Sequence, residues 1–302
     1  MADKIQRDFL DPRVLARLMA LPLHARTAML GSVSGKHRSP VRGSSLEFAQ
    51  YRKYVPGDDT RRLDWRTWGR SDRFYIKEFE ADTNLRLCLI VDASGSMGFG
   101  KDGATRLEYA KKIAGTLAYL AAHQGDAVGL WTVNSKSTHE IPAKRGASHL
   151  GVVLDQLAGI KASGETRLAE VLHEAAEKIR QRALVVILSD LFIPPADLKG
   201  GLQHLRFRKH DTSVFHLLDQ HELDFDFDRP ARFVDMEGRE PVLADPSMIA
   251  RQYREAVRLY MEELEEVKRT TGVDYHRLKL HENHEEALAR FLLGRIPKRS
   301  GR

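Results

Sequence analysis

The chain has 302 residues, of which 42% are hydrophobic and 30% are charged. This composition is typical of a folded soluble protein and predicts a sizeable core, in one large domain or in one domain with a substantial extension. No apolar run approaches the roughly 18–20 residues that a membrane-spanning helix needs, and the first residues lack the apolar segment of a signal peptide. We therefore expect a cytoplasmic protein without a membrane span. The one cysteine, Cys88, cannot form an internal disulfide and is predicted to be a buried structural thiol.

The net charge of +6 is concentrated between residues 31 and 75. That stretch holds ten Lys and Arg residues against five Asp and Glu residues, an excess of +5. Such an excess can bind nucleic acid or an acidic partner. The acids are interleaved with the bases, however, and this pattern favours a solvated face with internal salt bridges. We therefore expect no nucleic-acid binding.

The residues before the main sheet are interpreted as an extension. Apolar residues near helical spacing predict an amphipathic helix up to about Leu30, and a Gly- and Ser-rich loop follows from Gly31 to Ser45. Pro56-Gly57 indicates a turn among Tyr, Trp, Arg and Asp residues, and apolar and polar residues alternate from Phe74 to Glu80 as in a half-exposed strand. Residues 1–82 are therefore predicted as a helix followed by a small basic, aromatic and β-rich extension.

Residues 83–295 alternate strand patterns with helix patterns, which is typical of a doubly wound, mostly parallel α/β sheet. The predicted strands are Leu87–Val91, Ala127–Val133, Ser137–Ile141 at an edge, Ala183–Leu188, Thr212–Leu218 and Val273–Leu278. The predicted helices are Leu107–Ala121 after a capping box at Thr105 and Glu108, about His149–Leu157, Leu168–Ile179, a long helix that starts at Asp245-Pro246, and Glu285–Leu293. A β-hairpin is predicted as an insertion at about 222–245, and residues 296–302 as a basic tail.

The first of these strands ends abruptly in a carboxylate, and two hydroxyls follow at alternate positions. Asp92, Ser94 and Ser96 offer three oxygen ligands in one turn, and Gly95 lets the backbone fold sharply between the serines. Open α/β sheets bind their ligands at the carboxyl ends of strands. Hard oxygens suit Mg²⁺ or Mn²⁺, so these residues are candidate metal ligands. A polar turn without an ion is the alternative, because Asp, Ser and Gly are ordinary turn residues.

Two further positions extend this candidate site. Thr166 stands where a helix begins, so its hydroxyl can be a ligand or simply the N-cap of that helix. Asp190 follows the strand Ala183–Leu188, so a second buried strand ends near a carboxylate. Two carboxylates close together disfavour joint ionisation. We therefore expect Asp190→Asn to leave the metal-free fold equally stable or more stable.

Asp92, Ser94, Ser96, Thr166 and Asp190 together resemble the metal-ion-dependent adhesion site (MIDAS) of von Willebrand factor A (vWA) domains. The resemblance implies a vWA-like fold in which the strands that carry the two aspartates are neighbours. It also implies that the three hydroxyls bind Mg²⁺ or Mn²⁺ and that the two aspartates hold the ion directly or through water. A coordination position would remain for an Asp or Glu side chain of a protein partner.

A second resemblance covers residues from about 30 to the end of the chain. Its motifs are Gly43-Ser-Ser-Leu-Glu-Phe48, Tyr51-Arg52-x-Tyr54, Pro56-Gly-Asp-Asp59, Arg61 and Asp64-Trp65. They are similar to the signature of the bacterial family called domain of unknown function 58 (DUF58). Members are commonly encoded beside MoxR-type AAA+ ATPases, so the resemblance implies an adaptor whose partner is such an ATPase or its client. Many members carry transmembrane helices before this module, and this sequence shows none.

The sequence therefore predicts a metal-dependent protein–protein interaction module that is not an enzyme. The first alternative is a Mg²⁺-dependent hydrolase or phosphotransferase. Ser94, however, stands where haloacid-dehalogenase-type phosphatases need a second carboxylate, and no Lys or His follows at motif spacing as acid or base. The second alternative is nucleic-acid binding through the basic region, which depends on charge alone. His281 and His284 are three residues apart, but without a third ligand they are expected to be exposed helix residues.

Overall fold

The computed structural model of the chain describes residues 7–26, 47–53, 75–80, 85–101, 104–134, 138–225, 231–233, 236, 242–244 and 246–296. Contacts divide the chain into two compact units, one formed by residues 1–26 with 86–302 and one by residues 27–85. The separation of the sequence into domains at residue 82, with a basic tail from 296, stays a prediction. Residues 297–302 of that tail lie outside the described residues.

In the smaller unit the structure describes strands β1 (Glu47–Lys53) and β2 (Tyr75–Glu80), which pair antiparallel. The strand predicted from Phe74 to Glu80 is confirmed as β2. The predicted loop at 31–45 and the turn at Pro56-Gly57 lie outside the described residues.

The larger unit is built around a six-stranded sheet. The strands of this sheet, in chain order, are β3 (Arg86–Asp92), β6 (Ala127–Val133), β7 (Thr138–Lys144), β8 (Leu184–Ser189), β9 (Asp211–Leu218) and β12 (Asp274–Lys279). Two separate strand pairs are formed by β4 (Gly100–Lys101) with β5 (Ala104–Thr105) and by β10 (Ala231–Phe233) with β11 (Val242–Ala244). The order in the sheet is β12-β9-β8-β3-β6-β7, and every neighbouring pair is parallel except β6 with β7. From β3 the chain builds outward on one side and then on the other, which is a doubly wound topology. The predicted mostly parallel α/β sheet is confirmed.

Strands β3, β6 and β8 are largely apolar because helices cover both of their faces, whereas β9 also carries buried polar residues. Every residue of β6, β8 and β9 is buried, and in β3 only Arg86 is partly exposed. The prediction of a buried thiol is confirmed, since Cys88 lies in β3 among these residues. Burial raises the pKa of the Cys88 thiol to about 12, so this group stays protonated and unreactive.

The described helices are α1 (Pro12–Leu18), α2 (Arg106–His123), α3 (Ala147–Gly159), α4 (Leu168–Lys178), α5 (Pro195–Phe207), α6 (Gln220–Asp224), α7 (Pro246–Thr271) and α8 (His284–Gly294). Residues of α4, α5 and α7 form one hydrophobic core with one face of the sheet, and α2 lies against β3 and contacts α1, α3 and α8. Helix α1 ends at Leu18, well before the predicted end at about Leu30, and Pro22 disfavours a helical backbone at Leu21; residues 27–30 lie outside the described residues. None of the described helices is both long and apolar enough to cross a membrane.

Two local predictions that shape the site are confirmed. The main-chain N–H of Glu108 donates to the Thr105 hydroxyl (3.2 Å), and the N–H of Thr105 donates to the Glu108 carboxylate (2.9 Å), which is a complete capping box at the start of α2. Strands β10 and β11 pair antiparallel and form the predicted hairpin. The short helix α6, which precedes this hairpin, was not predicted from the sequence.

A buried ion cluster lies where β9 and β12 begin, at the sheet edge opposite their carboxyl ends. Arg295 follows α8 and donates to both oxygens of the Asp211 carboxylate (2.9 and 3.2 Å) and to the carbonyl oxygen of His24 (3.0 Å). The Asp274 carboxylate lies 3.4 Å from the Arg295 guanidinium and 3.0 Å from that of Arg26. These pairs fasten the segment before residue 27 and the end of α8 to the same two strands.

Candidate functional site

The candidate site lies at the carboxyl ends of β3 and β8, which are parallel neighbours in the sheet. Asp92 is the last residue of β3, and Asp190 comes directly after the last residue of β8. Both are buried, with exposed fractions of 0% and 2%. The sheet therefore brings the two predicted aspartates to one edge, where open α/β sheets bind their ligands.

Asp92 accepts hydrogen bonds from three segments of the chain. Its Oδ1 accepts from the main-chain N–H of Ser94 (2.9 Å), and its Oδ2 accepts from the hydroxyls of Thr166 (3.1 Å) and Ser189 (2.7 Å). Ser189 was not predicted as a site residue. The N–H of Leu191 donates to its Oγ (2.8 Å), which orients the hydroxyl toward Asp92.

Of the two predicted serines, Ser94 directly precedes the 3₁₀ turn (Gly95–Gly98) that follows β3, and Ser96 lies within it. Their Oγ atoms are 3.1 Å apart, and Ser94 is buried whereas Ser96 is partly exposed. The N–H of Gly95 donates to the carbonyl oxygen of Gly164 (2.7 Å), which joins this turn to the loop that carries Thr166. The hydroxyls of two loops therefore lie around the two aspartates, with Thr166 against Asp92 and Ser96 against Asp190.

Thr166 lies one residue before the N-cap of α4, which is Arg167, so the predicted N-cap position is one residue off. The Thr166 hydroxyl donates to Asp92 and accepts a hydrogen bond from the N–H of Leu168, the first residue of α4 (3.3 Å). One side chain therefore contacts both the site and the first turn of the helix, and its role as a metal ligand stays a prediction.

An arginine that the sequence analysis did not single out completes the site. Arg106 is the first residue of α2 and is 1% exposed. Its Nη1 donates to Oδ2 of Asp190 (3.2 Å) and to the carbonyl oxygen of Ser96 (2.9 Å), and its Nη2 pairs with the carboxylate of Glu222 in α6. A cation in the first turn opposes the helix dipole. That unfavourable placement is the sequence signal that could have identified Arg106.

Burial raises the pKa of both aspartates, because the ionised form loses its hydration. The pKa of Asp190 rises to about 6, since burial and the nearby Asp92 charge outweigh the lowering effects of Arg106 and of hydrogen bonds such as that from Ser96. Burial also lowers the pKa of Arg106, and the charge of Asp190 opposes that effect. The expected repulsion between the two aspartates is therefore present, and Arg106 offsets part of it.

The loop after Asp190 is held by side chains from β9 and α7. Leu191 has a φ of 59°, which is uncommon for a residue other than glycine, and its carbonyl oxygen accepts a hydrogen bond from the Tyr260 hydroxyl. His216 hydrogen-bonds the backbone of Asp190, and its Nδ1 lies 2.6 Å from the Tyr275 hydroxyl. Burial lowers the pKa of His216 to about 3, so this ring is neutral at physiological pH.

The donor set fits a hard divalent cation. The five predicted residues form one hydrogen-bonded network of carboxylate and hydroxyl oxygens, which suits Mg²⁺ or Mn²⁺. Within the part of the chain that the structure describes, no group of three or more His, Cys, Asp and Glu residues could hold a metal, so an ion here would need the hydroxyls. His281 is exposed but lies in a turn, and His284 begins α8 but is partly buried and contacts the Tyr109 ring edge-on (6.5 Å between centroids), so the prediction of two exposed helix residues is wrong in part.

A cleft of about 480 Å³ opens beside the site, along α4 and the first turns of α5. Thr166 lies at its wall together with Leu168, His173, Ile193 and Pro194. The neighbouring Phe192 side chain is 52% exposed. The candidate site therefore adjoins a surface that a partner can reach.

Comparison with known proteins identifies the family. The family model described as "Protein of unknown function DUF58" matches residues 50–266, which include the five predicted site residues and Arg106. The chain belongs to the DUF58 family. This DUF58 chain is 28% identical over 223 residues to an uncharacterized protein of Mycobacterium tuberculosis (strain H37Rv), and the match covers 73% of this chain and 70% of the relative.

Solved structures similar to this DUF58 chain include vWA-like domains. The conserved hypothetical protein BatB from Bacteroides thetaiotaomicron is 13% identical, with 70% of this chain and 98% of that chain covered and a TM-score of 0.48. The SpRpn10 VWA domain is 12% identical, with 73% and 99% covered and a TM-score of 0.41.

Proposed function

We propose that this DUF58 chain is a metal-dependent protein–protein interaction module. The observation that supports it most is the pair of buried carboxylates, Asp92 and Asp190, at adjoining strand ends, with hydroxyls from two loops turned toward them. Two buried carboxylates need a countercharge, and among the described residues Arg106 contributes one positive charge that it shares with Glu222. A divalent cation would satisfy the remainder.

The ion would be Mg²⁺ or Mn²⁺, held by Asp92, Ser94, Ser96, Thr166 and Asp190 as in a MIDAS. When bound, it would act as a Lewis acid that attracts a carboxylate. The chain's own residues prepare this arrangement. Ser189 orients one oxygen of Asp92, and the hydrogen bond from Gly95 to Gly164 holds the two hydroxyl-bearing loops together.

The partner in this proposal is a protein that presents an Asp or Glu side chain. Membership of the DUF58 family favours a MoxR-type AAA+ ATPase or its client, with this chain as a cytoplasmic adaptor. Affinity purification of the tagged chain from native cells, with and without a chelator, tests this partner. Recovery of the same ATPase in both conditions would contradict metal dependence, and its absence from both would contradict the adaptor role.

Thermal melts test the metal site. The Tm of the wild type is expected to rise with Mg²⁺ as the logarithm of its excess over the dissociation constant. Ser96→Ala and Thr166→Ala should each lose part of that rise, because each removes a hydroxyl ligand. Ser163→Ala is the matched control, since this exposed serine lies in the loop that carries Thr166. A loss of about 1 kcal/mol for Thr166→Ala that is the same with and without metal would indicate capping alone.

The proposal includes no catalytic turnover. We expect the purified chain to release no phosphate from simple phosphoesters or nucleotides in the presence of Mg²⁺. Ser94 stands where a phosphatase would need a second carboxylate, and His216, which hydrogen-bonds the backbone of Asp190, is buried and neutral and so cannot act as the acid or base. Phosphate release that Asp92→Asn abolishes, in a preparation free of contaminating activity, would establish a hydrolase instead.

A further inference from the structure

We propose that Arg106 is a tethered cation that competes with a divalent metal ion for Asp190, and that Glu222 is the anion that draws Arg106 away from Asp190. This inference rests on the proposed metal site and concerns its regulation. It adds two residues that are outside the MIDAS pattern, and it makes the strength of metal binding depend on an ion pair within the chain.

The backbone of Arg106 is fixed, so only its side chain can move relative to the site. Its main-chain N–H donates to the carbonyl oxygen of Phe99 (3.1 Å), and the capping box at Thr105 and Glu108 holds the first turn of α2. From this anchor the guanidinium reaches Asp190 with the same Nη1 that contacts the carbonyl oxygen of Ser96. One cation therefore lies against two residues that would surround the metal.

The guanidinium is shared between two anions with different surroundings. The Asp190 side chain is 1% exposed, whereas the Glu222 side chain is 20% exposed on the short helix α6. The rings of Phe99 and Phe192 flank the guanidinium, with their centroids 5.0 and 5.5 Å from its Cζ. Aromatic faces stabilise a guanidinium without a directional bond, so they tolerate its displacement from one carboxylate toward the other.

Coulomb forces determine the sign of the coupling. A divalent ion that binds Asp190 would lie within a few ångströms of the Arg106 charge, and like charges repel strongly in a site from which water is largely excluded. Metal binding therefore has to break or lengthen the pair between Arg106 and Asp190. Glu222 lowers that cost because it keeps a countercharge on the guanidinium after Asp190 has turned to the metal.

A purely structural role for Arg106 predicts the opposite result. If Arg106 only supported the loops, its loss would loosen the site and weaken metal binding. If Arg106 competes with the metal, its neutralisation strengthens metal binding even though the fold loses a buried ion pair. The sign of the change in Mg²⁺ affinity distinguishes the two roles.

Calorimetric titration of the full chain with Mg²⁺ at pH 8 tests the proposal. Arg106→Gln keeps an N–H donor for Ser96 and is expected to bind Mg²⁺ about tenfold more tightly than the wild type. Arg106→Lys keeps the charge and should stay close to the wild type. Arg208→Gln is the control, because Arg208 contacts carbonyl oxygens of α4 and lies away from the site.

Glu222→Gln gives the second arm and leaves Arg106 in place. It is expected to weaken Mg²⁺ binding several-fold in the wild-type background and to have little effect in the Arg106→Gln background. Equal weakening in both backgrounds would overturn the role given to Glu222, because Glu222 would then act on the metal directly. Melts in chelator confirm that each variant is folded.

The outcomes separate this inference from the proposed function. If the wild type binds Mg²⁺ and Arg106→Gln binds it equally or more weakly, the competition is overturned and the metal site stands. If neither binds Mg²⁺, both are overturned. If only Arg106→Gln binds it, Arg106 has been shown to exclude the ion, and metal-dependent function of the wild type is refuted.

Discussion

Arg295→Gln is expected to lower the free energy of unfolding by about 3–5 kcal/mol, as is typical when one partner of a buried ion pair is removed. Arg295 is 2% exposed and pairs with both Asp211 and Asp274. With a neutral side chain at this position, the cluster keeps the ion pair between Arg26 and Asp274, and Asp211 keeps a hydrogen bond from the main-chain N–H of Arg26. Urea unfolding followed by circular dichroism measures the change.

Arg290→Gln is the matched control for this substitution. Arg290 lies within α8, five residues before Arg295, and pairs with Glu282 (2.8 Å), but its side chain is 66% exposed. Solvent-exposed pairs contribute at most about 1 kcal/mol, so this variant should unfold almost as the wild type does. Equal losses for Arg295→Gln and Arg290→Gln would show that the buried cluster does not stabilise the fold.

Asp190→Asn is expected to abolish the rise in Tm that Mg²⁺ produces, and to leave the chain equally stable or more stable in chelator. The raised pKa of Asp190 means that the fold favours the neutral carboxyl, and an amide is a neutral group of the same shape. Arg106 keeps its contacts with Glu222 and the Ser96 carbonyl oxygen. A bound metal, by contrast, would lose one of the two anionic ligands proposed for it.

The control for this prediction is Asp197→Asn, which removes an exposed acid from the wall of the neighbouring cleft. The Tm of Asp197→Asn should rise with Mg²⁺ by as much as the Tm of the wild type does. Capture of the protein partner should fall with Asp190→Asn and persist with Asp197→Asn. A Tm of the wild type that does not change with divalent cations, together with clear destabilisation of Asp190→Asn in chelator, would refute the metal site.

The central strands and the two aspartates could be predicted from the sequence because they depend on local pattern. Runs such as that from Leu184 to Leu188 are apolar throughout, and a strand covered on both faces needs such a run. Asp92 and Asp190 stand where two of these runs stop. In parallel neighbours those positions share one edge of the sheet, so their proximity follows from topology.

Ser189 and Glu222 were missed because their roles arise only from the packing of distant segments, and the one sequence signal for Arg106 is its unfavourable place in the first turn of α2. Ser189 reads as the polar end of a strand, and its contact with Asp92 depends on the register of β3 and β8. Glu222 lies on a helix of five residues, too short to show periodicity, in a stretch interpreted as the start of the hairpin insertion. No spacing rule connects it to Arg106, which is 116 residues away in sequence.

The ion cluster around Arg295 has a consequence for biosynthesis. Arg295 contacts the carbonyl oxygen of His24, 271 positions earlier, so the first and last described helices are joined only when translation has passed all the strands. A nascent chain halted before Arg295 would already contain every residue of the candidate site. It would nevertheless have Asp211 and Asp274 without this cation. Completion of the sheet unit is therefore expected to be a late event in synthesis, and truncation before Arg295 should produce a target for proteases.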